Sequence, residues 1–439
     1  MRGFYFVCFF ILFCFVEKQS KAQTFDPFLA SKLQQKLDEV IVNYGVNGIS
    51  VGIIYPGQGL WLGTSGLSHE GEPITSDMEF GIGSQTKLFT AISILKLIQS
   101  KKIGINDSIG KYLEPIANVN PKIKIGQLLN HSSGIADMIL YPGYVDTIQN
   151  NPTRYFTPQE VLKFIGPRVF APGAKTEYSS SNYIIAGLLF EKVSGQKIAT
   201  FIRDSILTPN NLDSTFFDVE ETVLGIKAHP WLSGVDIDSI PRIAMNSSAW
   251  ATGAIYSNAH DMVNWYFAIM NGKILDDATF NLLTDFSEPS GYGHGINRSK
   301  LDGRTVWGAN GAVLGYRSRM VYDPATKAIL CVLSNTQLIE IDKITKEIFS
   351  TLNSNISTGF SENIVIDENP IIYPNPTNQK IYLAAKNQEI ENFQVFSTLG
   401  HLVFESDQNM GNLEKLQNGI YLVRIKTNKG VFIHKLIKE

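Results

Sequence analysis

The sequence GIGSQTK, residues 81–87, places Ser84 three residues before Lys87 at the start of a long apolar run. Because residues i and i+3 share a helix face, the lysine amine could reach the serine hydroxyl. Burial disfavours a charged ammonium, and a neutral lysine could accept the serine proton and create a nucleophile. The alternative is a helix-capping serine followed by a lysine that extends to solvent.

The Ser-x-x-Lys pattern alone is weak, because the chain repeats it at Ser93/Lys96, Ser108/Lys111 and Ser194/Lys197. Ser93 lies inside an apolar helical run, and the other two pairs lie in Asp- or Gly-containing turns. Only Ser84 combines a glycine-rich approach, a predicted helix start and a buried helix behind it. The free N–H groups of a helix start, including that of Ser84, could stabilise an oxyanion.

A second polar segment, FAPGAKTEYSSSNYIIAGLLFEKVSG at 170–195, places Tyr178, Ser180 and Asn182 directly before an apolar helix. A tyrosine beside a lysine could relay protons during catalysis. The alternative is a loop aromatic that covers the core.

The elements that must position these residues can be predicted from periodicity. We expect helices over 28–45, 87–102, 255–272 and 340–353, a hairpin from GISVGIIYPG and QGLWLGTSG, and strands within 305–335 with turns at Asn310-Gly311 and Asp323-Pro324. The 87–102 helix is apolar almost all round and is therefore predicted to be buried. Strands and helices at both ends with a helical middle predict an α/β domain that carries a mostly helical insertion.

Composition and motifs narrow the function classes. The 439 residues carry a net charge of −3, which argues against nucleic acid and gives no electrostatic attraction to anionic membranes. The histidines do not pair at metal-ligand spacing, and G-x-S-x-G, G-x-G-x-x-G and phosphate-loop motifs are absent from the sequence. The sequence therefore predicts neither a metal nor an organic cofactor.

The N-terminus predicts export. Arg2 precedes an apolar core at 4–16, and Ala22 offers a small residue for cleavage before Gln23, so residues 1–22 are interpreted as a secretory signal. The alternative is an uncleaved membrane anchor. Cys8 and Cys14 leave with the signal, and Cys331 then remains as a predicted buried thiol without a disulfide partner.

Three further ranges complete the predicted organisation. Residues 23–355 form the catalytic domain, 356–370 a linker, and 371–439 a module of short alternating strands that predicts a small β-sandwich.

Five segments follow one another in an order that resembles the serine β-lactamase-like superfamily; they are residues 81–115, 125–138, 170–195, 250–265 and 308–324. The similarity is greatest to its class C branch, which also holds D-Ala-D-Ala carboxypeptidases, D-aminopeptidases and esterases. It covers about residues 25–350 and implies an antiparallel sheet flanked by helices, with the active site between the sheet and a helical subdomain. The resemblance implies that Ser84 is the acylated nucleophile, Lys87 its base and Tyr178 the tyrosine of the Tyr-x-Asn/Ser element.

The resemblance also implies roles for residues around this centre. Ser180 falls where the Tyr-x-Asn/Ser element usually has asparagine, and the N–H of Ala312 would be the second oxyanion donor beside that of Ser84. We expect substrate-binding roles for Ser180, Asn182, Asn310 and Gly311. His131 belongs to a turn, LLNHSSG, that the family has away from the chemistry, so a structural role is expected for it.

The family's Lys/His-x-Gly element aligns with Ala309-Asn310-Gly311, and its basic residue is missing. A cation there would attract a substrate carboxylate, so alanine favours neutral esters or amides unless Arg304, Arg317 or His294 replaces it. A degenerate site is the alternative, but Ser84, Lys87 and Tyr178 are all retained.

The C-terminal module contains Tyr373-Pro374-Asn375-Pro376, GHLVFES and NGIYLVRI, which together resemble the type A sorting domain of the type IX secretion system. The alternative is an immunoglobulin-like binding module. With the signal, this resemblance implies passage across both membranes and release or attachment at the cell surface, without stable membrane insertion. The type IX machinery is then a partner.

The sequence therefore predicts a secreted serine hydrolase that cleaves an ester or amide of a small molecule or short peptide through a Ser84 acyl-enzyme. The alternatives on the same site are a D-Ala-D-Ala carboxypeptidase, a D-aminopeptidase or a β-lactamase. A surface enzyme is poorly placed to trim the periplasmic wall, which weakens the carboxypeptidase interpretation. From another class, the alternative is a non-catalytic binding protein that keeps the fold.

Overall fold

In the computed structural model, which describes residues 25–360, 370–385, 389–397 and 400–439, an antiparallel sheet organises the larger part of the chain. The strands are β1 (Gly48–Tyr55), β2 (Gly59–His69), β3 (Glu72–Pro73), β4 (Phe80–Gly81), β5 (Phe216–Phe217), β6 (Trp231–Leu232), β7 (Val235–Asp236), β8 (Ile255–Ser257), β9 (Asn297–Leu301), β10 (Arg304–Val313), β11 (Tyr316–Tyr322), β12 (Ile329–Ser334), β13 (Ile371–Tyr373), β14 (Lys380–Ala384), β15 (Ile390–Ser397), β16 (Leu402–Ser406), β17 (Met410–Asn412), β18 (Gly419–Thr427) and β19 (Gly430–Lys438). The large sheet has the order β3-β2-β1-β12-β11-β10-β9.

Helices cover both faces of this sheet and build the insertion. They are α1 (Pro27–Tyr44), α2 (Thr86–Gln99), α3 (Ile125–Leu129), α4 (Tyr144–Gln149), α5 (Pro158–Val161), α6 (Ser181–Ser194), α7 (Ile198–Ile202), α8 (Ile243–Ala249), α9 (Ala259–Met270), α10 (Asp277–Leu283) and α11 (Ile341–Phe360). The predicted fold class, an antiparallel sheet flanked by helices with a mostly helical subdomain, is confirmed.

The central strand β12 shows why the sheet needs a cover on both faces. Leu330 and Val332 pack in the core beneath α1 and α11, while Cys331 and Leu333 pack in the core on the opposite face. A continuous apolar strand of this kind is stable only when both faces are buried. Cys331 is the buried free thiol that the sequence predicts.

Helix α2 runs through the centre of the larger core, as its apolar sequence predicts. Its side chains from Thr86 to Leu95 are all buried, and Phe89 stacks on Trp265 of α9 with ring centroids 4.4 Å apart. A helix enclosed in this way is a rigid base for the residues at its N-terminus.

One prediction of local structure is wrong. Asn310-Gly311 is not a turn: β10 continues through it, pairing Asn310 with Arg319 and Gly311 with Ser318, and the chain reverses after Val313 instead. The helix predicted within 255–272 is confirmed as α9, which begins after the cap-like Ser257-Asn258: the Asn258 side chain accepts a hydrogen bond from Asp261 N, and residues 255–257 before it form the strand β8. The predicted turn at Asp323-Pro324 is confirmed, since β11 ends at Tyr322.

The C-terminal strands form two facing sheets, β13-β14-β17 and β16-β15-β18-β19, around their own apolar core. This is the small β-sandwich that the sequence predicts. Phe396 of the sandwich meets Phe28 of α1 edge to face, with ring centroids 6.1 Å apart. The predicted signal lies outside the described residues, and so does most of the predicted linker, whose first residues belong to α11. Within the described ranges, no helix combines the length and the apolarity that a membrane crossing requires.

Candidate active site

Ser84 lies in a single 3-10 turn, Gly83–Gln85, that leads directly into α2. This turn places its side chain above the first turn of the helix, where Lys87 also projects. Lys87 Nζ lies 3.1 Å from Ser84 Oγ and 3.0 Å from the carbonyl oxygen of Thr252. Lys87 is 4% exposed, and within the described part of the chain no carboxylate forms an ion pair with it. Its amine therefore contacts a hydroxyl and a carbonyl rather than a counter-ion.

Tyr178 approaches the same hydroxyl from the loop before α6. Its Oη donates a hydrogen bond to Ser84 Oγ at 2.7 Å, and Lys87 Nζ lies 4.9 Å from the centre of its ring. Ser84 Oγ is therefore held between an amine and a phenol. This arrangement can remove a proton from the hydroxyl and can deliver a proton to a group that leaves it.

The carbonyl that holds Lys87 comes from the turn at Trp250–Thr252. Trp250 is buried with a φ of +37°, a strained value for a bulky side chain. The carbonyl of the preceding residue, Ala251, accepts a hydrogen bond from the Thr90 hydroxyl of α2 at 2.7 Å. The turn therefore presents two successive carbonyls to the helix that carries the lysine.

Strand β10 is fixed directly against the serine turn. Ser318 Oγ donates to the carbonyl of Ile82 at 2.8 Å, and the Gln85 side-chain amide donates to the carbonyl of Ala309. A methyl group at Gly311 would lie 2.0 Å from Ile82 O, so only glycine permits this approach. Ala312 follows on the strand and lines the cavity with Ser84, and the role of its N–H as the second oxyanion donor stays a prediction.

These residues surround one cavity of about 290 Å³. Its walls are formed by Ser84, Lys87, His131, Tyr178, Tyr183, Tyr292, Gly295, Ile296, Asn297, Ala309, Asn310, Gly311, Ala312 and Arg317. The structure thus brings together six residues that the sequence selected: Ser84, Lys87, Tyr178, Asn310, Gly311 and Ala312. Ser180 and Asn182 do not line this cavity.

The side chains predicted to bind substrate have partners of their own. Ser180 is 2% exposed at the start of α6. Asn182 Oδ1 accepts a hydrogen bond from Ser133 Oγ at 2.6 Å, and its Nδ2 lies 3.2 Å from His131 Nδ1. The Asn310 amide donates to Asp342 at 3.1 Å, while its backbone borders the cavity. Substrate contact by these three side chains stays a prediction.

Among the cavity residues that the sequence did not assign to the site, two, His131 and Tyr292, carry titratable rings close to that of Tyr178. His131 was expected to lie away from the chemistry, but its ring lies 4.5 Å from that of Tyr178, so that expectation is wrong. Burial lowers the pKa of His131 to about 3. Tyr292 also lines the cavity, where burial raises its pKa to about 12. Its only sequence signal is an aromatic residue between two glycines.

The three candidates for the missing cation occupy different places. Arg304 forms an ion pair with the buried Asp323 at 2.6 Å, and His294 is buried with Nδ1 2.6 Å from Leu282 O. Arg317 lines the cavity, where its Nε donates to Gln337 O at 2.8 Å. Arg317 is therefore the candidate that a substrate in the cavity would meet. Among the described residues, no group of three or more His, Cys, Asp or Glu side chains is arranged to hold a metal ion.

An antiparallel sheet flanked by helices, with a serine, lysine and tyrosine in contact at the start of a buried helix, is the architecture of the β-lactamase-fold serine hydrolases. The chain belongs to this family: the beta-lactamase family model matches residues 22–345. A second model, the secretion system C-terminal sorting domain, matches residues 371–439. The sorting domain implies involvement of the type IX secretion machinery.

Individual relatives agree with this assignment. Penicillin-binding protein 4 of Amycolatopsis lactamdurans is 25% identical over 336 residues, which cover 70% of this chain and 86% of the relative. The D-amino acid amidase from Ochrobactrum anthropi, complexed with L-phenylalanine, superposes with a TM-score of 0.67 at 24% identity, covering 75% of this chain and 99% of that one. A D-stereospecific amidohydrolase from Streptomyces gives a TM-score of 0.65 at 24% identity over 73% of this chain and 97% of its own. These two likenesses show the fold.

Proposed function

We propose that this protein is a secreted serine hydrolase that cleaves an ester or amide through an acyl-enzyme on Ser84. The observation that carries the proposal is the position of Ser84 Oγ, which lies 3.1 Å from Lys87 Nζ and 2.7 Å from Tyr178 Oη. A helix-capping serine with a solvent-directed lysine would not bring a buried amine and a phenol onto one hydroxyl. That contact also weighs against a non-catalytic binding protein.

The reaction follows from these contacts. Lys87, as the free amine, accepts the proton of Ser84 Oγ while Oγ forms a bond to the substrate carbonyl carbon. The negative charge on the carbonyl oxygen is stabilised by the N–H groups of Ser84 and Ala312. Tyr178 gives its proton to the leaving oxygen or nitrogen as that bond breaks, and the Lys87 ammonium restores the phenol. Water then attacks the acyl-enzyme by the same steps in reverse order.

The cavity limits the substrate. Ala309 provides no cation, which favours neutral esters or amides. The wall residues of the described cavity include no carboxylate, so a free substrate ammonium has no counter-charge there, which disfavours a D-aminopeptidase. Arg317 in the wall supports a second candidate, a substrate with a carboxylate, since a guanidinium binds a carboxylate through paired hydrogen bonds.

The proposed location of the protein, at the cell surface or in the medium, rests on features at both ends of the chain. The predicted signal at 1–22 and the sorting domain at 371–439 suit export through the type IX machinery to the cell surface or the medium, with loss of the tail. Small external esters, amides or short peptides are then the accessible substrates.

Labelling tests the nucleophile. A fluorophosphonate probe should modify the wild type and fail to modify Ser84→Ala. Ser194→Ala is the matched control, because Ser194 has the same Ser-x-x-Lys spacing but its hydroxyl is hydrogen-bonded to Gln196 in its own turn and does not line the cavity. Equal labelling of wild type and Ser84→Ala would remove Ser84 as the nucleophile.

A substrate panel tests the reaction. We expect the wild type to hydrolyse a p-nitrophenyl ester faster than a D-Ala-D-Ala peptide or a chromogenic cephalosporin. Faster turnover of the carboxylate-bearing compounds would favour the second candidate, and no turnover of any of them would favour the binding protein.

A further inference from the structure

His131 contacts three consecutive residues of the loop that carries Tyr178. Its carbonyl oxygen accepts a hydrogen bond from Glu177 N at 3.0 Å, and its Nδ1 accepts one from Ser179 N at 3.2 Å. Between these two bonds, the imidazole packs on the Tyr178 ring, with centroids 4.5 Å apart and planes 31° apart. One residue thus holds the backbone on both sides of Tyr178 and the face of its ring.

Tyr178 needs such support. It lies outside any helix or strand and is 39% exposed, so no regular element fixes its side chain. Its other ring contacts are more distant, with Tyr292 at 6.4 Å between centroids. The 2.7 Å contact between Tyr178 Oη and Ser84 Oγ therefore depends on where the imidazole lies.

A chain of hydrogen bonds sets the orientation and tautomer of the imidazole. Ser133 Oγ accepts from Ile135 N at 3.1 Å and donates to Asn182 Oδ1 at 2.6 Å. This fixes the Asn182 amide, so that its NH₂ group faces His131 Nδ1 at 3.2 Å. With Ser179 N also directed at Nδ1, that nitrogen accepts, and the ring proton belongs on Nε2.

We propose that His131, as the Nε2–H tautomer, is a positioning residue that holds the Tyr178 hydroxyl in reach of Ser84. The inference rests on the proposed function, because it assigns His131 to the proton transfer of Tyr178. The titratable groups that face the imidazole are Lys87, Tyr178, Tyr183 and Tyr292. Burial lowers the pKa of His131, so the ring stays neutral at working pH whether Lys87 is the free amine or the ammonium.

A double-mutant cycle on a p-nitrophenyl ester separates positioning from a general structural role. His131→Gln should lower kcat about 10- to 100-fold with little change in KM, since displacement of a catalytic group by about 1 Å can cost about 100-fold. In a Tyr178→Phe background, the same substitution should lower kcat less than about threefold, because the hydroxyl it positions is gone. His260→Gln, a half-exposed histidine on α9, is the control and should leave kcat unchanged.

Two results would overturn the inference: an unchanged kcat in folded His131→Gln, or an equal loss in both backgrounds. If His131→Gln fails to fold, ¹⁵N NMR of the wild-type protein tests the inference by measuring which ring nitrogen of His131 carries the proton. The inference requires a neutral ring protonated at Nε2 from pH 5 to 9, and a proton on Nδ1 would overturn it. Failure of the proposed function is a separate result, because it would appear as a wild type that neither turns over the ester nor takes the fluorophosphonate label.

Discussion

Gly83 and Ala312 are in backbone contact: a methyl group added at Gly83 would lie 2.7 Å from the Ala312 nitrogen. Gly83 has a φ of +54° and directly precedes Ser84, the proposed nucleophile, whereas Ala312 lies on β10. The two proposed oxyanion donors therefore belong to two segments that touch without an intervening side chain. Their spacing depends on glycine at 83.

The first prediction concerns this contact. Gly83→Ala should lower kcat about 100-fold or more, because it must separate β10 from the serine turn and misplace one oxyanion donor. Gly272→Ala is the matched control, since Gly272 also has a positive φ, +69°, but no atom within 4 Å of an added methyl group. Both variants should lose about 1 kcal/mol of unfolding free energy from backbone strain, and Gly83→Ala should lose more because its methyl group meets the Ala312 backbone, as measured by thermal melts. Equal kcat values in the two variants would contradict the prediction.

The second prediction concerns the base. Lys87→Met should lower kcat about 10²- to 10⁴-fold, because proton removal from Ser84 Oγ loses its acceptor. The control is Lys96→Met on the same helix, because the Lys96 amine donates to Ile274 O at 2.8 Å and Lys96 does not line the cavity. Steady-state kinetics on a p-nitrophenyl ester would compare them. If Lys87→Met retains its activity, a group other than Lys87 must accept the serine proton.

Strand β10 shows which features of the site could be predicted from the sequence and which could not. Ala309-Asn310-Gly311 was located by its resemblance to a known element, yet local propensity predicts a hairpin turn at Asn-Gly. The turn does not form because cross-strand pairing with β11 and the contact of Gly311 with Ile82 use this glycine for close approach instead. A glycine at 311 could serve either a hairpin turn or a close approach between backbones, and only the tertiary structure shows that it serves the close approach.

His131 and Tyr292 show the converse limit. The sequence places them 47 and 114 residues from Tyr178, and neither belongs to a pattern that marks a reacting group. The fold nevertheless brings both rings to the wall beside Tyr178. The fold class, the helix start at Ser84 and the C-terminal sandwich could be predicted because each depends on local periodicity or an ordered set of motifs. The cavity wall depends on contacts between distant segments.

The third prediction tests Arg317. Arg317→Met should raise KM about 10- to 100-fold for a substrate with a free carboxylate, because a charged hydrogen bond is lost. It should leave KM for a neutral p-nitrophenyl ester unchanged. Arg298→Met, at an exposed position on β9, is the control. Equal changes for the charged and neutral substrates would assign Arg317 a structural role.

The fourth prediction concerns Glu79, a buried carboxyl whose Oε2 has no hydrogen-bond partner among the described residues. Burial raises its pKa to about 7 from an ordinary value of 4.5. The folded protein therefore keeps this proton up to about pH 7, whereas the unfolded chain releases it near its ordinary value. The stability that the proton provides is fully present below the unfolded pKa and is lost as pH rises through the folded pKa.

Glu79→Gln should remove this dependence. Wild type and variant should have similar unfolding free energies at pH 4, and the variant should be more stable by up to about 3 kcal/mol at pH 8, by urea denaturation. Glu70→Gln, at an exposed position, is the control and should not change the pH dependence. A variant that parallels the wild type from pH 4 to pH 8 would show that Glu79 is ionised in the folded protein.

The last prediction separates catalysis from export. The residues around Ser84 come from positions 84–317, and the sandwich has its own core and touches α1 through Phe28, which Arg424 and Phe396 contact. A chain that ends at residue 360 should therefore keep the kcat and KM of the full chain, and it should lose about 1 kcal/mol or less of unfolding free energy with the aromatic contact.

In a host with type IX machinery, the full chain should reach the surface or medium and the shortened chain should stay in the periplasm. If the purified shortened chain no longer hydrolyses the ester, the C-terminal sandwich supports the active site. If the shortened chain still reaches the surface or medium, the sandwich is not the export signal.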